Sequence, residues 1–446
     1  MLKKKLFSLL LVLVLSLSML AGCSKPASET AKKGEKKGEE QVTLKLWHLY
    51  PERNEPDTQH GLIKQMVADF ESQNPNIKVE VLGNQSADKI LTAITSGQGP
   101  DVFINLWPNI ATWSDKGALL DLTELTKEAD FEADDILKGA WERAIYKGKT
   151  YGVPYNAVSS ELFYNKDMLK AAGYDKAPET IEELMEMNDK ITKQDGNGNI
   201  TQLGFLPDFP WLDNVLWPVS FGADWIDEAT NKITFDTPEM KAAYQWQADI
   251  YQKYGAENLQ KYKSGFGDGA QNPFVSGKLA MTFFPEELIN SVQKYNPELN
   301  YGVAPIPYPE NKPELKGSMF ITSNVWNISS KTKHEEESWK LLKFLTSKET
   351  MQKLADETKG MQGLYSRKSV LNNMPEGTPE ELKEVAKMLQ GDNVKGFPML
   401  AYINEYLTII NDEMQLTLTG KETVDEAAKK VQEKVQPIAD SNPINK

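Results

Sequence analysis

From Val42 onward the chain alternates between two hydrophobic periods, and that alternation limits it to one class of architecture. Thr43 to Leu49 alternates apolar and polar residues as a strand does, and Leu62, Ile63, Met66, Val67 and Phe70 then recur at helical spacing. Asn74-Pro75 stops that helix, Ile77, Val79 and Val81 alternate again, and a second helix fits Lys89 to Thr95. Val102-Phe103-Ile104 is a short buried-type strand after the Gly99-Pro100 turn. Strands and helices joined this closely predict an α/β layer around a mostly parallel sheet. A comparable mixture runs from Leu162 to Phe284, with helices expected at Ile181 to Lys190 and Lys241 to Tyr254. Near the carboxy terminus Thr423 and Glu426 form a capping box, and Val424, Ala427, Ala428, Val431 and Val435 give one apolar face.

A single cysteine, Cys23, serves the whole chain of 446 residues, so the fold has no disulfide to lean on and must bury a large core. Hydrophobic residues make up 40%, enough for that, and the length predicts two domains or one bilobed unit. The net charge of -14 opposes affinity for nucleic acid. Arg53, Arg143 and Arg367 are the only arginines, so no cluster exists for bidentate phosphate capture. His48, His60 and His334 are scattered, which speaks against a histidine-based metal site; no cofactor is expected. Asp195-Gly196-Asn197-Gly198-Asn199 has the alternating oxygens of a calcium loop but lacks its closing acid, Leu206 standing there, and reads as a turn.

The first residues read as a processing signal: Lys3, Lys4 and Lys5 precede an apolar run from Leu6 to Leu15, too short to span a bilayer. Leu20-Ala21-Gly22-Cys23 resembles the lipobox of bacterial lipoproteins, which implies lipidation of Cys23 and removal of residues 1-22. Residues 23-41 are polar and aperiodic, as a flexible tether is; fully extended, Ser24 to Gln41 reaches roughly 60 Å.

Further motifs carry a second resemblance. Gly99-Pro100-Asp101-Val102, the run Gly148-Lys149-Thr150-Tyr151-Gly152-Val153-Pro154-Tyr155, then Leu162-Phe163-Tyr164-Asn165-Lys166-Asp167, and Thr423-Val424-Asp425-Glu426-Ala427 together resemble the maltose-binding-protein-like extracellular solute-binding proteins. The resemblance covers nearly the whole mature chain. It implies a bilobed periplasmic-binding-protein-like fold of two α/β lobes with a cleft and hinge. By that analogy the amino-terminal lobe comprises 42-156 plus 285-347, and the carboxy-terminal lobe 157-284 plus 348-446. The chain would cross near Asn156 to Val158 and again near Phe284 to Glu286, and the strand-like Tyr301 to Pro307 would belong to the first lobe. The family often has Gly-x-x-Pro-x-Arg before its last helices, whereas Gly360 to Arg367 here lacks the proline.

A sugar offers apolar C–H faces and a rim of hydroxyls, so its site needs flat aromatic platforms beside amides and acids. In open α/β layers the crevice lies at strand ends. Trp47 and His48 end the first strand, with Glu52 behind them; Gln85 ends the second; Asn105 and Trp107 follow the third. Tyr155 and Asn156 lie at the first crossing and Glu286 at the second, while Trp211, Asp213 and Trp217 crowd a proline-bounded loop. Each has a plainer reading: core packing for the tryptophans, a hydrogen-bonded imidazole for His48, a turn cap for Asn105, hinge support for Asn156 and Glu286. No Gly-x-Ser-x-Gly elbow, His-Glu-x-x-His or P-loop is present.

The reading these features give is a substrate-binding lipoprotein of an ABC transporter. It would capture a sugar, with an oligosaccharide favoured, by hinge closure and deliver it to the permease subunits. It would be a monomer and not an enzyme, held on the extracytoplasmic face of the membrane by lipid alone. The alternatives are a membrane-tethered glycoside hydrolase and a binding protein for a non-sugar solute.

Overall fold

The structure is a computed structural model that describes residues 41–55, 58–208, 216–358 and 363–444. Two sheets organise it. In the first, Val42–Trp47 pairs in parallel with Ile77–Leu82 on one side and with Val102–Leu106 on the other. Asn324–Ile328 adds antiparallel to Val102–Leu106, and Val153–Pro154 pairs with Asn324–Ile328 in turn. The helices between the parallel strands form where the periodicity placed them. Gln59–Gln73 is capped by the Thr58 hydroxyl, which accepts from Gly61 N, and it buries Leu62, Ile63, Met66, Val67 and Phe70. Ser86 caps Ala87–Thr95 in the same way.

The second sheet is built on the long strand Asn156–Asn165. Leu279–Phe284 pairs antiparallel with it and parallel with Ile200–Phe205. All six residues of Leu279–Phe284 are buried, as expected of a strand covered on both faces. The alternating faces of these strands feed two separate cores: Phe163 and Phe284 belong to one, with Leu44, Ile104 and Trp326. Leu162, Met281 and Phe283 belong to the other, with Phe205, Trp217, Trp246 and Tyr406. The capping box at Thr423 and Glu426 is formed, and Val424–Ser441 buries its apolar face in the second core.

The passage between sheets occurs at two places. Val153–Pro154 lies in the first sheet and Asn156–Asn165 in the second, so the chain crosses at Tyr155, next to the expected position. The return differs from expectation. After Phe284 the chain stays with the second sheet, because Tyr301–Ala304 and Met319–Thr322 both pair with the long strand. It crosses back only at Ser323, just before Asn324–Ile328. Tyr301 to Pro307 therefore does not extend the first sheet. The helices Lys348–Thr358 and Glu380–Met388 place Met351, Leu354, Leu382 and Val385 in the first core, so a division at 347/348 is not the division between cores. The amphipathic period that forms a helix does not say which of two cores its face will meet.

Candidate functional site

The two crossings touch. Asn156 Oδ1 accepts from Asn324 N at 2.8 Å, Ser323 Oγ donates to Asn156 O at 2.6 Å, and Tyr155 N donates to Asn324 O at 3.2 Å. Ser366 Oγ closes the strap by donating to Pro154 O at 2.7 Å. Asn156 thus supports the hinge backbone. Replacing it with Ala leaves the Asn324 N–H without its acceptor and lowers unfolding free energy by about 1–3 kcal/mol, measurable by urea titration.

At the ends of the first sheet's parallel strands, two loops are laced together. His48 N donates to Leu82 O at 3.0 Å, Gln85 N to His48 O at 3.1 Å, and Asn84 N to Tyr50 O at 2.8 Å. Glu52 is exposed, yet its Oε1 accepts from Gly83 N at 2.8 Å. A Cβ on Gly83 would lie 2.7 Å from Glu52 Cγ and 2.8 Å from His48 Cε1, so only glycine allows the loops this close. Trp47 is half-buried above the small core around Ile90 and Trp113. His48 is fully buried and its Nε2 lies 2.9 Å from Nδ1 of His60. Burial pulls His48 down to about 4, with the neighbouring His60 adding to the effect and Glu52 opposing it, so the ring is neutral at physiological pH. That is the hydrogen-bonded imidazole rather than an open ligand face. Gln85 is also buried, with its Nε2 on Gly83 O and its Oε1 unpartnered.

Asn105 does what a turn cap does: its Oδ1 accepts from Leu106 N and from Asn109 Nδ2, both at 2.9 Å, while its Nδ2 has no partner. Trp107 is half-buried, with one face stacked on Phe397 at 5.6 Å and 11°. Tyr155 is half-buried at the first crossing, where its hydroxyl bonds that of Tyr50; Asn324 Nδ2 donates to the same Tyr50 oxygen at 3.3 Å.

Glu286 follows the fully buried strand Leu279–Phe284 and is itself buried. Its Oε2 accepts from Ser159 N at 3.1 Å, and Ser159 Oγ reaches Oε2 of Glu286 at 3.3 Å and Oε2 of Glu161 at 2.7 Å. Burial pushes Glu286 up to about 8, although Ser159 pulls the other way. Burial and the charge of Glu286 push Glu161 well above the usual carboxylate range. Glu286 therefore stands as a neutral acid at pH 7 and can donate a hydrogen bond as well as accept one.

One expected platform is corrected. Trp217 lies at the start of the short helix Trp217–Ser220, is 1% exposed, and donates from Nε1 to Pro207 O at 2.9 Å. Trp246 at 4.7 Å and Phe283 at 5.2 Å complete its aromatic surroundings, so its indole faces the second core and no face is free to stack on a ligand. Trp211, Asp213 and Cys23 lie outside the described residues.

The structure adds Tyr50, Ser159, Glu161 and Asn324 to the set. Glu161 carried a usable signal, being an acid directly before the apolar Leu162-Phe163 of a strand-like run; Tyr50 and Asn324 carried none. Asp195 forms the turn expected of it, its Oδ1 accepting from Asn197 N and Asn199 N at 2.8 and 2.9 Å.

The family model for bacterial extracellular solute-binding proteins matches residues 57–352. The galactooligosaccharide-binding protein of Bacillus subtilis is 25% identical over 446 residues, spanning 95% of this chain and 96% of that one. The multiple sugar-binding protein of Streptococcus mutans is 26% identical over 79% of this chain and 81% of its own length. Among solved structures, CpMnBP1 with mannotriose bound superposes with a TM-score of 0.75 at 27% identity, covering 88% of this chain and 99% of that one.

Proposed function

Since this chain belongs to the bacterial extracellular solute-binding proteins, we propose that it captures an oligosaccharide between its two lobes and hands it to the permease of an ABC importer. The observation that carries the sugar is the likeness, over most of both chains, to a structure holding mannotriose. The chemistry of the strand ends supports it. Gln85, Asn105, Tyr155 and Glu286, at strand ends and crossings, supply amide, hydroxyl and carboxyl groups, and Trp47 and Trp107 supply half-buried indoles, with no arginine among them. Such a set suits neutral hydroxyls and C–H faces better than phosphate.

Closure is the reading of the paired crossings at Tyr155 and Ser323. A ligand shifts the open–closed balance only through contacts that differ between the two states. Trp107 from the first sheet and Glu286 from the second are the pair assigned that role. Trp211 and Asp213 remain ligand candidates from the sequence. The protein acts as a monomer without catalysis, and lipid on Cys23 holds it at the extracytoplasmic membrane face.

Calorimetry with mannotriose, maltotriose, a galactooligosaccharide and diacetylchitobiose tests the sugar. One of them is expected to bind saturably, and Trp107→Ala to weaken that binding at least tenfold, about 1.4 kcal/mol. No heat with any neutral saccharide sinks the sugar reading, and release of shorter saccharides on incubation replaces it with hydrolysis. Anchoring is read separately: Cys23→Ser is expected to move the protein from the membrane fraction to the medium.

A further inference from the structure

A groove of about 1160 Å³ opens between residues 137–148 and 389–399, and none of the strand-end residues described above lines it. Its lining draws on both cores: Leu137 and Leu389 pack in the first, and Trp225 and Phe397 in the second. We propose that this groove is a second small-molecule site, one that takes a carboxylate.

Two buried donors are the ground for it. Arg143 is 4% exposed and Trp225 is 3% exposed; both line the groove, and Arg143 Nε and Trp225 Nε1 have no hydrogen-bond partner. Trp246 Nε1 and Trp326 Nε1 also lack a partner, but among the described residues only the unpartnered N–H groups of Arg143 and Trp225 line the groove, and a group that only accepts would satisfy both. Both side chains are fixed on the same residue. An Nη of Arg143 donates to Phe397 O, and the Trp225 ring sits 4.6 Å from the Phe397 ring at 55°. Gly396 makes this possible, since a Cβ there would meet Ile321 O at 2.5 Å and Arg143 Nη1 at 2.8 Å. The donors are thus held in place rather than loosely disposed on a surface.

The charges around them nearly balance, with Lys138, Arg143, Lys147, Lys368 and Lys395 against Glu142, Asp224, Glu228 and Asp392. Glu142 lies 3.6 Å from Arg143, Asp224 lies 3.6 Å from Lys395, and Glu228 has its own interactions. Lys147 is paired with Asp115 at 3.1 Å. Among the described residues Lys138 and Lys368 make no ion pair, and Asp392 is an exposed acid at the rim. Burial draws Arg143 down only to about 10, so it stays cationic at neutral pH. A carboxylate supplies two acceptor oxygens to Arg143 Nε and Trp225 Nε1 and a charge for the unpaired lysines. Because the lining draws on both cores, an occupant also links them. Any effect of sugar on its binding must be matched by an equal effect on sugar affinity. That last step rests on the closure reading; carboxylate binding does not.

The test uses the mature chain without sugar, labelled with 15N at the indole nitrogens, and titrates succinate against its neutral isostere succinamide. Succinate is expected to shift the Trp225 Nε1–H resonance saturably, and succinamide is not. Trp225→Phe, which keeps the ring and removes the N–H, is expected to weaken succinate binding at least tenfold by calorimetry. Arg143→Gln is expected to abolish it, and Lys368→Gln checks the charge contribution should Arg143→Gln fold poorly. No saturable shift, an equal shift with succinamide, or undiminished binding in Trp225→Phe overturns the proposal. Sugar titration of the same preparation reports separately on the strand-end site.

Discussion

A Trp217→Ala protein is expected to unfold about 3–5 kcal/mol more easily than the wild type, the range for removing a large aromatic from a packed core. The indole is 1% exposed, lies edge-on to Phe205 at 5.6 Å and 85°, and packs against Trp246 and Phe283. Little room exists for these neighbours to collapse into the space, since Leu279–Phe284 behind them is fixed on both edges by strands. Trp217→Phe keeps much of the apolar area and loses the bond to Pro207 O, so it is expected to lose only about 1–2 kcal/mol. Urea unfolding measures both. Calorimetry on the folded fraction supplies the contrast: oligosaccharide affinity is expected to change far less than stability. An affinity loss with unchanged unfolding would return Trp217 to the ligand site.

Trp217 also marks where sequence reasoning ran out. Two tryptophans and an acid in a proline-bounded loop have the same composition whether they form a sugar platform or a local core. What decides is whether Phe205, Trp246 and Phe283, all distant in sequence, converge on the ring. The elements themselves were legible because each is a local event. The apolar period at Leu62 to Phe70, the alternation at Ile77 to Val81 and the capping box at Thr423 and Glu426 all formed where they were read. Strand partnership is not local, and so the return crossing was misplaced. Tyr301–Ala304 has the pattern of a strand, but only tertiary pairing places it against Leu162 to Asn165. Asn156 and Asn105 had both a ligand reading and a backbone reading, and backbone groups claim their oxygens. The pair of buried acids was half legible. Glu161 is an acid in a strand whose next residues, Leu162 and Phe163, are core residues, and burying it is unfavourable unless something compensates it, but nothing local announced that Glu286 would share Ser159 with it.

That shared serine leads to the second large effect, a stability that falls as the solution becomes alkaline. Glu286 titrates near 8 in the folded protein against 4.5 for a free side chain. Between those values the folded state holds a proton that the unfolded state has released. Stability is therefore present in full below about 4.5 and is lost as pH rises through 8, with a limiting slope of about 1.4 kcal/mol per pH unit for one proton. His48 acts with the opposite sign. Its folded value of about 4 lies below the usual 6.5, so the unfolded state binds the extra proton and stability rises with pH across that interval. The two effects oppose each other below 6.5; above it His48 no longer contributes, and Glu286 acts in the same direction as Glu161, which burial also raises. Comparison with Glu286→Gln removes the His48 contribution, because both proteins carry it. The unfolding free energy of the wild type, less that of the variant, is expected to decline by about 1–2 kcal/mol between pH 6.5 and 8. A difference that stays level across that interval would falsify the neutral-acid assignment. A ligand whose hydroxyl accepts from the Glu286 O–H loses that donor over the same range, so oligosaccharide affinity is expected to weaken above pH 8 in the wild type and to hold steady in Glu286→Gln, whose amide keeps a donor at every pH.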